Sequence, residues 1–180
     1  MKALVRNPIF AAIGFAAAIA VAPASYAFQD EGDKEIEFTG GFSHTDGTDI
    51  GIANADVSFG YYWAPRLNFG IRQTLNYAFV EDGADQWNAS TIPFVNYNFE
   101  TSNPNLRPFI GAFVGAAYNK DDTTGTAGPA VGIKYFLSDN TAVVARYRYE
   151  WFFDKLAIAD ATETSGGNHI FTVGMSYSWK

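Results

Sequence analysis

The chain has 180 residues and no cysteine, and its 19 acidic residues against 12 basic ones give a net charge of −7. Disulfides, thiolate metal centres and a lipid-modified cysteine are therefore excluded, and the acidic balance argues against nucleic acid as a partner. Aromatic residues make up 17% of the chain, and after Ala27 no apolar run reaches the roughly 20 residues that a membrane helix needs.

The first element is not part of a fold. Lys2 and Arg6 form a positive start, Ile9 to Ala22 is uncharged and apolar, and Pro23-Ala24-Ser25-Tyr26-Ala27 supplies small residues before a cut after Ala27. Residues 1–27 thus read as a cleaved secretory signal peptide. Residues 28–180 read as one domain.

Eight segments of that domain alternate with period two, the mark of strands with one apolar face. In chain order they run Glu35 to Ser43, Asn54 to Trp63, Arg66 to Phe79 and Trp87 to Phe99. Leu106 to Tyr118, Gly128 to Leu137, Thr141 to Phe153 and Asn168 to Trp179 follow. The last is the clearest. Phe171, Val173, Met175, Tyr177 and Trp179 share one face, and Thr172, Gly174, Ser176 and Ser178 share the other. Pro93 lacks a ladder donor, so a bulge or a later strand start is expected in the fourth segment. Gln73 falls on an otherwise apolar face.

The connections alternate in length. Ala64-Pro65, Thr101 to Asn105 and Ser138 to Asn140 are short and made of turn residues. His44 to Ala53, Val80 to Gln86, Asn119 to Ala127 and Asp154 to Gly167 are longer. Short turns at one end and long loops at the other are the layout of a membrane barrel. Because only helices and closed barrels satisfy all backbone groups in lipid, the expected fold is all-β, an eight-stranded antiparallel up-and-down transmembrane β-barrel. Its long loops are expected outside the cell.

Alternation alone does not say which face is outward, since a soluble barrel hides its apolar face inside. The residues decide it. The apolar faces carry no charge between strand ends, as a lipid-facing surface requires when Arg or Lys costs roughly 2–4 kcal/mol at mid-membrane. Tyr61, Trp63, Tyr97, Phe99, Tyr177 and Trp179 gather at the short-turn end. Tyr77, Phe79, Trp87, Tyr118, Trp151 and Phe153 gather at the long-loop end. Two aromatic girdles mark the two membrane interfaces.

The opposite faces carry Glu35, Glu37, Asp56, Arg72, Lys134, Arg146, Arg148 and Glu150. Four acids and four bases on an enclosed surface are tolerable only when paired. They predict a charged network filling the narrow lumen. Gly60, Gly70, Gly111, Gly115, Gly132 and Gly174 share that face and leave room for Arg side chains and for Tyr62, Phe109 and Phe113. Gly174, Ser176 and Ser178 give Arg146 and Arg148 space beside the eighth strand.

With this layout the chain resembles the small eight-stranded outer-membrane barrels, the OmpA-, OmpX- and OmpW-like group, from about Lys34 to Lys180. The resemblance implies the outer membrane of a Gram-negative bacterium, with membrane lipid and lipopolysaccharide as surroundings. It also makes Tyr177 and Trp179 the signal read by the outer-membrane assembly machinery, although Lys180 follows where that signal usually ends. Such proteins serve as envelope stabilisers, adhesins, narrow channels or lipid-modifying enzymes.

Chemistry-bearing residues are few. His44 stands beside Ser43, but neighbours on a strand point to opposite faces and do not form a nucleophile–base pair. His169 opens the last strand. Neither stands in a local motif of the lipid A acyltransferases and deacylases that outer-membrane barrels include, so no catalytic residue, cofactor or metal ligand is assigned. The long loops hold Asp46, Asp49, Glu81, Asp82, Asp85, Asp121, Asp122, Asp154, Asp160 and Glu163 against Lys120 and Lys155. They read as solvated loops able to meet lipopolysaccharide through divalent cations, with no EF-hand spacing. The expected function is non-enzymatic: a monomeric barrel with a plugged lumen, serving envelope integrity or surface interaction. A narrow small-solute channel comes next, and a lipid A-modifying enzyme third.

Overall fold

The computed structural model describes residues 29–44, 50–80, 86–120, 122–153 and 168–180. Residues 1–27, with the signal-peptide reading, and most of the acidic loop positions lie outside them. Eight strands follow in order: β1 (Lys34–His44), β2 (Ile50–Ala64), β3 (Leu67–Val80), β4 (Gln86–Asn98), β5 (Leu106–Tyr118), β6 (Thr123–Phe136), β7 (Thr141–Phe152) and β8 (Asn168–Trp179). Each pairs antiparallel with the next, and β1 closes the barrel against β8 through Lys34↔Trp179 to Gly40↔Val173. Closure removes every open edge, the condition for backbone in lipid.

Most boundaries agree with the periodicity to within a residue. Two do not: β2 starts at Ile50 rather than Asn54, and β6 at Thr123 rather than Gly128. On the parity of the apolar face these extensions hold Gly51, Ala53, Gly125 and Ala127, too small to print a bulky alternation, while Ile50 and Ile52 fall on the opposite parity from Val57, Phe59 and Tyr61. Their partners carry them instead. Val80 to Tyr77 continues the ladder opposite β2, and Tyr118 to Val114 continues it opposite β6.

Pro93 produces neither a bulge nor a late start. β4 keeps one register across it, with Ile71↔Pro93 on one side and Thr91↔Ala116 and Phe94↔Phe113 on the other. Between Ala89 and Asn98 the ladder to β5 is interrupted only at Ile92 and Pro93, and the proline ring faces outward. Gln73 is outward as well, and it is satisfied there. Its Nε2 donates to the Tyr118 hydroxyl at 2.9 Å, and its Oε1 accepts from Thr91 Oγ1 at 2.8 Å.

The faces divide cleanly. Phe171 is 69% exposed and Trp63 66%, whereas Arg148 and Tyr62 are fully buried. An apolar exterior around a polar interior is the inverse of a soluble barrel. Exposed Tyr61, Trp63, Tyr97, Phe99 and Tyr177 ring the short-turn end, and Trp87, Trp151 and Phe153 stand at the other. The Phe79 side chain lies outside the described residues.

Candidate functional site

The lumen collects the chemistry. Glu35 and Glu37 enter it from β1, Asp56 from β2, Arg72 from β3, Lys134 from β6, and Arg146, Arg148 and Glu150 from β7. The spacing of two along β1 and β7 puts their charges on one face at successive heights.

Three ion pairs span the interior. Nearest the short turns, Lys134 Nζ donates to Glu35 Oε1 at 2.5 Å and Oε2 at 2.6 Å. The same carboxylate accepts from Tyr62 at 3.3 Å, from Ser178 Oγ at 3.4 Å and from Asn68 Nδ2 at 3.5 Å. Next, Arg146 grips Glu37 through both terminal nitrogens, with Nη2 to Oε2 at 2.8 Å. Above it, Arg148 grips Asp56 at 2.5 Å and 3.3 Å, and Thr39 Oγ1 donates to the same carboxylate at 3.3 Å. Two-pronged guanidinium–carboxylate contacts fix orientation as well as charge. None of these six side chains is more than 6% exposed. Taking each ion out of water costs several kcal/mol, which such geometry must offset.

Arg72 and Glu150 are also buried, yet among the described residues neither forms an ion pair. The Arg72 guanidinium lies 4.8 Å from the centre of the Phe94 ring, and its Nε and Nη2 have no hydrogen-bond partner. Glu150 accepts from Thr126 Oγ1 at 2.9 Å. The network is three pairs and two differently held charges rather than four pairs.

Facing the charged wall is an aromatic one. Ile92, Phe94 and Phe113 form one buried cluster on β4 and β5, and Arg146 lies 5.2 Å from the ring centre of Phe109. Phe94, Phe109 and Phe113 sit directly opposite Gly70, Gly132 and Gly128 in the ladders. A Cβ at Gly70 would come 2.8 Å from Phe94 Cζ, and one at Gly128 2.9 Å from Phe113 Cζ. These glycines make room for aromatic rings and for the adjoining backbone, since the same Cβ atoms would come closer still to Phe59 O and Tyr149 O. At Gly174 the backbone acts alone: the three atoms nearest a Cβ there all belong to the β1 backbone at Phe38 and Thr39. Arg146 and Arg148 do reach past β8, to β1 and β2, but Gly174 is small because β1 lies so close.

Arg107 is a further charged lumen residue, on the inward parity that period two gives the fifth strand. It is buried on the inward parity of Phe109 and Phe113, opposite Lys134.

Elsewhere, Tyr177 and Trp179 stack on the outer surface with ring centres 6.1 Å apart. His169 faces outward at the long-loop end, its Nδ1 2.7 Å from the Tyr147 hydroxyl. The side chains of Ser43 and His44 lie outside the described residues. Among the described residues no cluster of His and acidic groups is placed to hold a metal ion.

A family model described as the outer membrane protein beta-barrel domain matches residues 10–178. The chain belongs to that family. The outer-membrane barrel reading therefore rests on sequence as well as on architecture. No curated protein matches the chain significantly. Among solved structures, Neisserial surface protein A (NspA) superposes with a TM-score of 0.61 at 18% identity, over 81% of this chain and 94% of that one. The outer membrane protein OprG from Pseudomonas aeruginosa gives 0.58 at 10%, over 86% and 99%. Outer membrane protein H (OprH) from P. aeruginosa gives 0.56 at 15%, over 82% and 99%. At these identities the likeness is one of fold.

Proposed function

We propose that this outer-membrane barrel is a non-enzymatic, monomeric structural or surface-interaction protein whose lumen is closed to solutes. One observation carries the reading: three ion pairs cross the interior at successive heights with side chains at most 6% exposed. An open channel keeps its lining charges hydrated, whereas these have exchanged water for one another. An eight-stranded barrel is just wide enough for side chains to fill.

In this reading the short turns face the periplasm and the long acidic loops face outside, toward lipopolysaccharide and its bridging cations. Tyr177 and Trp179 present the assembly signal on the lipid face of the closing strand. The purified protein in a planar bilayer should give no steady conductance. Sustained ionic current would replace this reading with the narrow-channel one, and an altered lipid A mass spectrum that depends on His44 would replace it with an enzyme.

A further inference from the structure

The short-turn end holds a second polar arrangement, outside the barrel. Before β1 the chain makes a tight turn at Gly32, whose φ of +94° suits a residue without a side chain. Gly32 N donates to Tyr62 O and Tyr62 N to Asp33 O, each at 2.8 Å, so this turn is tied to the end of β2. Asp30 is thereby held beside the β2–β3 turn. In that turn Arg66 is fixed through its carbonyl, which accepts from Asn98 N at 2.8 Å. Its guanidinium reaches Glu100, with Nη2 to Oε1 at 2.7 Å.

Between these pieces lies an open groove of about 650 Å³. Ala64, Pro65, Leu67 and the Tyr97 ring give it a mainly apolar floor, and Asp30, Arg66 and Glu100 ring it. Its floor residues lie between Trp63 and Phe99 along the chain, at the level of the short-turn aromatic girdle. Aromatic girdles mark the depth of lipid headgroups. The volume lies in the range of small-ligand sites, roughly 300–1,000 Å³.

We propose that this groove seats the headgroup of a zwitterionic phospholipid, a phosphoethanolamine, with its phosphate at Arg66 and its ammonium between Asp30 and Glu100. The charges choose the ligand. Lys180 Nζ stands 3.8 Å from Asp30 Oδ2, an exposed contact that a ligand ammonium can replace, so the rim and its neighbour carry two acids and two bases and match a headgroup that carries both signs. A primary ammonium brings three N–H donors to the two carboxylates, whereas a trimethylated one brings none. The Arg66–Glu100 pair is about half exposed on both sides. Such a surface pair is worth little, so it opens to a ligand at small cost. The apolar floor accepts the start of the acyl chains, which continue down the outward faces of β3 and β4.

Which leaflet supplies the lipid rests on the orientation proposed above; the chemistry of the groove does not. The test places the protein in nanodiscs of equimolar phosphatidylethanolamine, phosphatidylcholine and phosphatidylglycerol, then counts retained lipids by native mass spectrometry. The wild type should retain phosphatidylethanolamine about fivefold over either competitor, a difference of about 1 kcal/mol. The exposed-residue double variant Asp30→Asn/Glu100→Gln should lose that preference, and Arg66→Ala should reduce retention of all three lipids. Retention in bilayer proportion, a preference for phosphatidylglycerol, or an unchanged preference in the double variant overturns the proposal. Orientation is read separately, by labelling a cysteine placed at Lys120 on intact cells. A barrel inserted the other way round passes the lipid test and fails the labelling.

Discussion

At the scale of single residues, the lumen separates charges that hold one another from charges that do not. Arg146 and Glu37 meet two-pronged and buried. Arg146→Met strands a buried carboxylate and should cost about 3–5 kcal/mol. Replacing both, as Glu37→Leu/Arg146→Met, removes the desolvation cost together with the attraction and should fold about as stably as the wild type. Urea unfolding in lipid vesicles measures both, and equal losses in the single and double variants would show that the pair is not the unit. Arg72 contrasts with this: its Nε and Nη2 have no acceptor. Arg72→Met should therefore cost under about 1 kcal/mol, because the lost ring contact is offset by the removal of unsatisfied donors. The inward parity of all eight charges was legible in the sequence, since period two assigns faces. Their pairing was not. Partners 92 to 109 positions apart meet through barrel closure and shear, which no local pattern encodes.

At the scale of elements, the strands were legible wherever large apolar residues hold one parity and illegible where small ones take that parity. β8 declares itself through five bulky residues, whereas the first turns of β2 and β6 are strands only because a partner continues opposite them. Pro93 shows the same limit from the other side. Local chemistry predicts a break, but pairing to β3 and an outward ring absorb the missing donor. Paired strands also explain the glycines. Gly128 lies beneath the Phe113 ring and against the Tyr149 carbonyl. Gly128→Ala should overpack this site and cost about 1–3 kcal/mol. Gln73 is the converse, a polar residue among lipid-facing ones. In Gln73→Leu, Thr91 and Tyr118 can still bond each other, their oxygens being 3.3 Å apart. That variant should match or exceed wild-type stability, and a loss above 1 kcal/mol would mean the three-residue bridge itself clamps β3 to β5.

At the scale of the whole molecule, the ion pairs act in series. Glu35 and Lys134 lie near the short-turn ends of β1 and β6. Glu37 and Arg146 lie further along, and Asp56 and Arg148 beyond them, with Asp56 opposite Thr39. A solute crossing the barrel must pass all three levels, so one intact level is enough to stop it. Removing a single level, as in Glu37→Ala/Arg146→Ala, should leave a planar bilayer silent. Replacing all six residues by Ala should open a path and give steady current, provided heat-modifiable gel mobility shows the barrel still folds. The two outcomes separate closure from stability. If the single-level variant already conducts, the levels do not close the lumen independently and the central pair alone is the barrier. If the six-residue variant folds and stays silent, the aromatic wall of Phe94, Phe109 and Phe113 fills the lumen without the charges. The ion pairs would then serve to hold the barrel's two sides together rather than to block it.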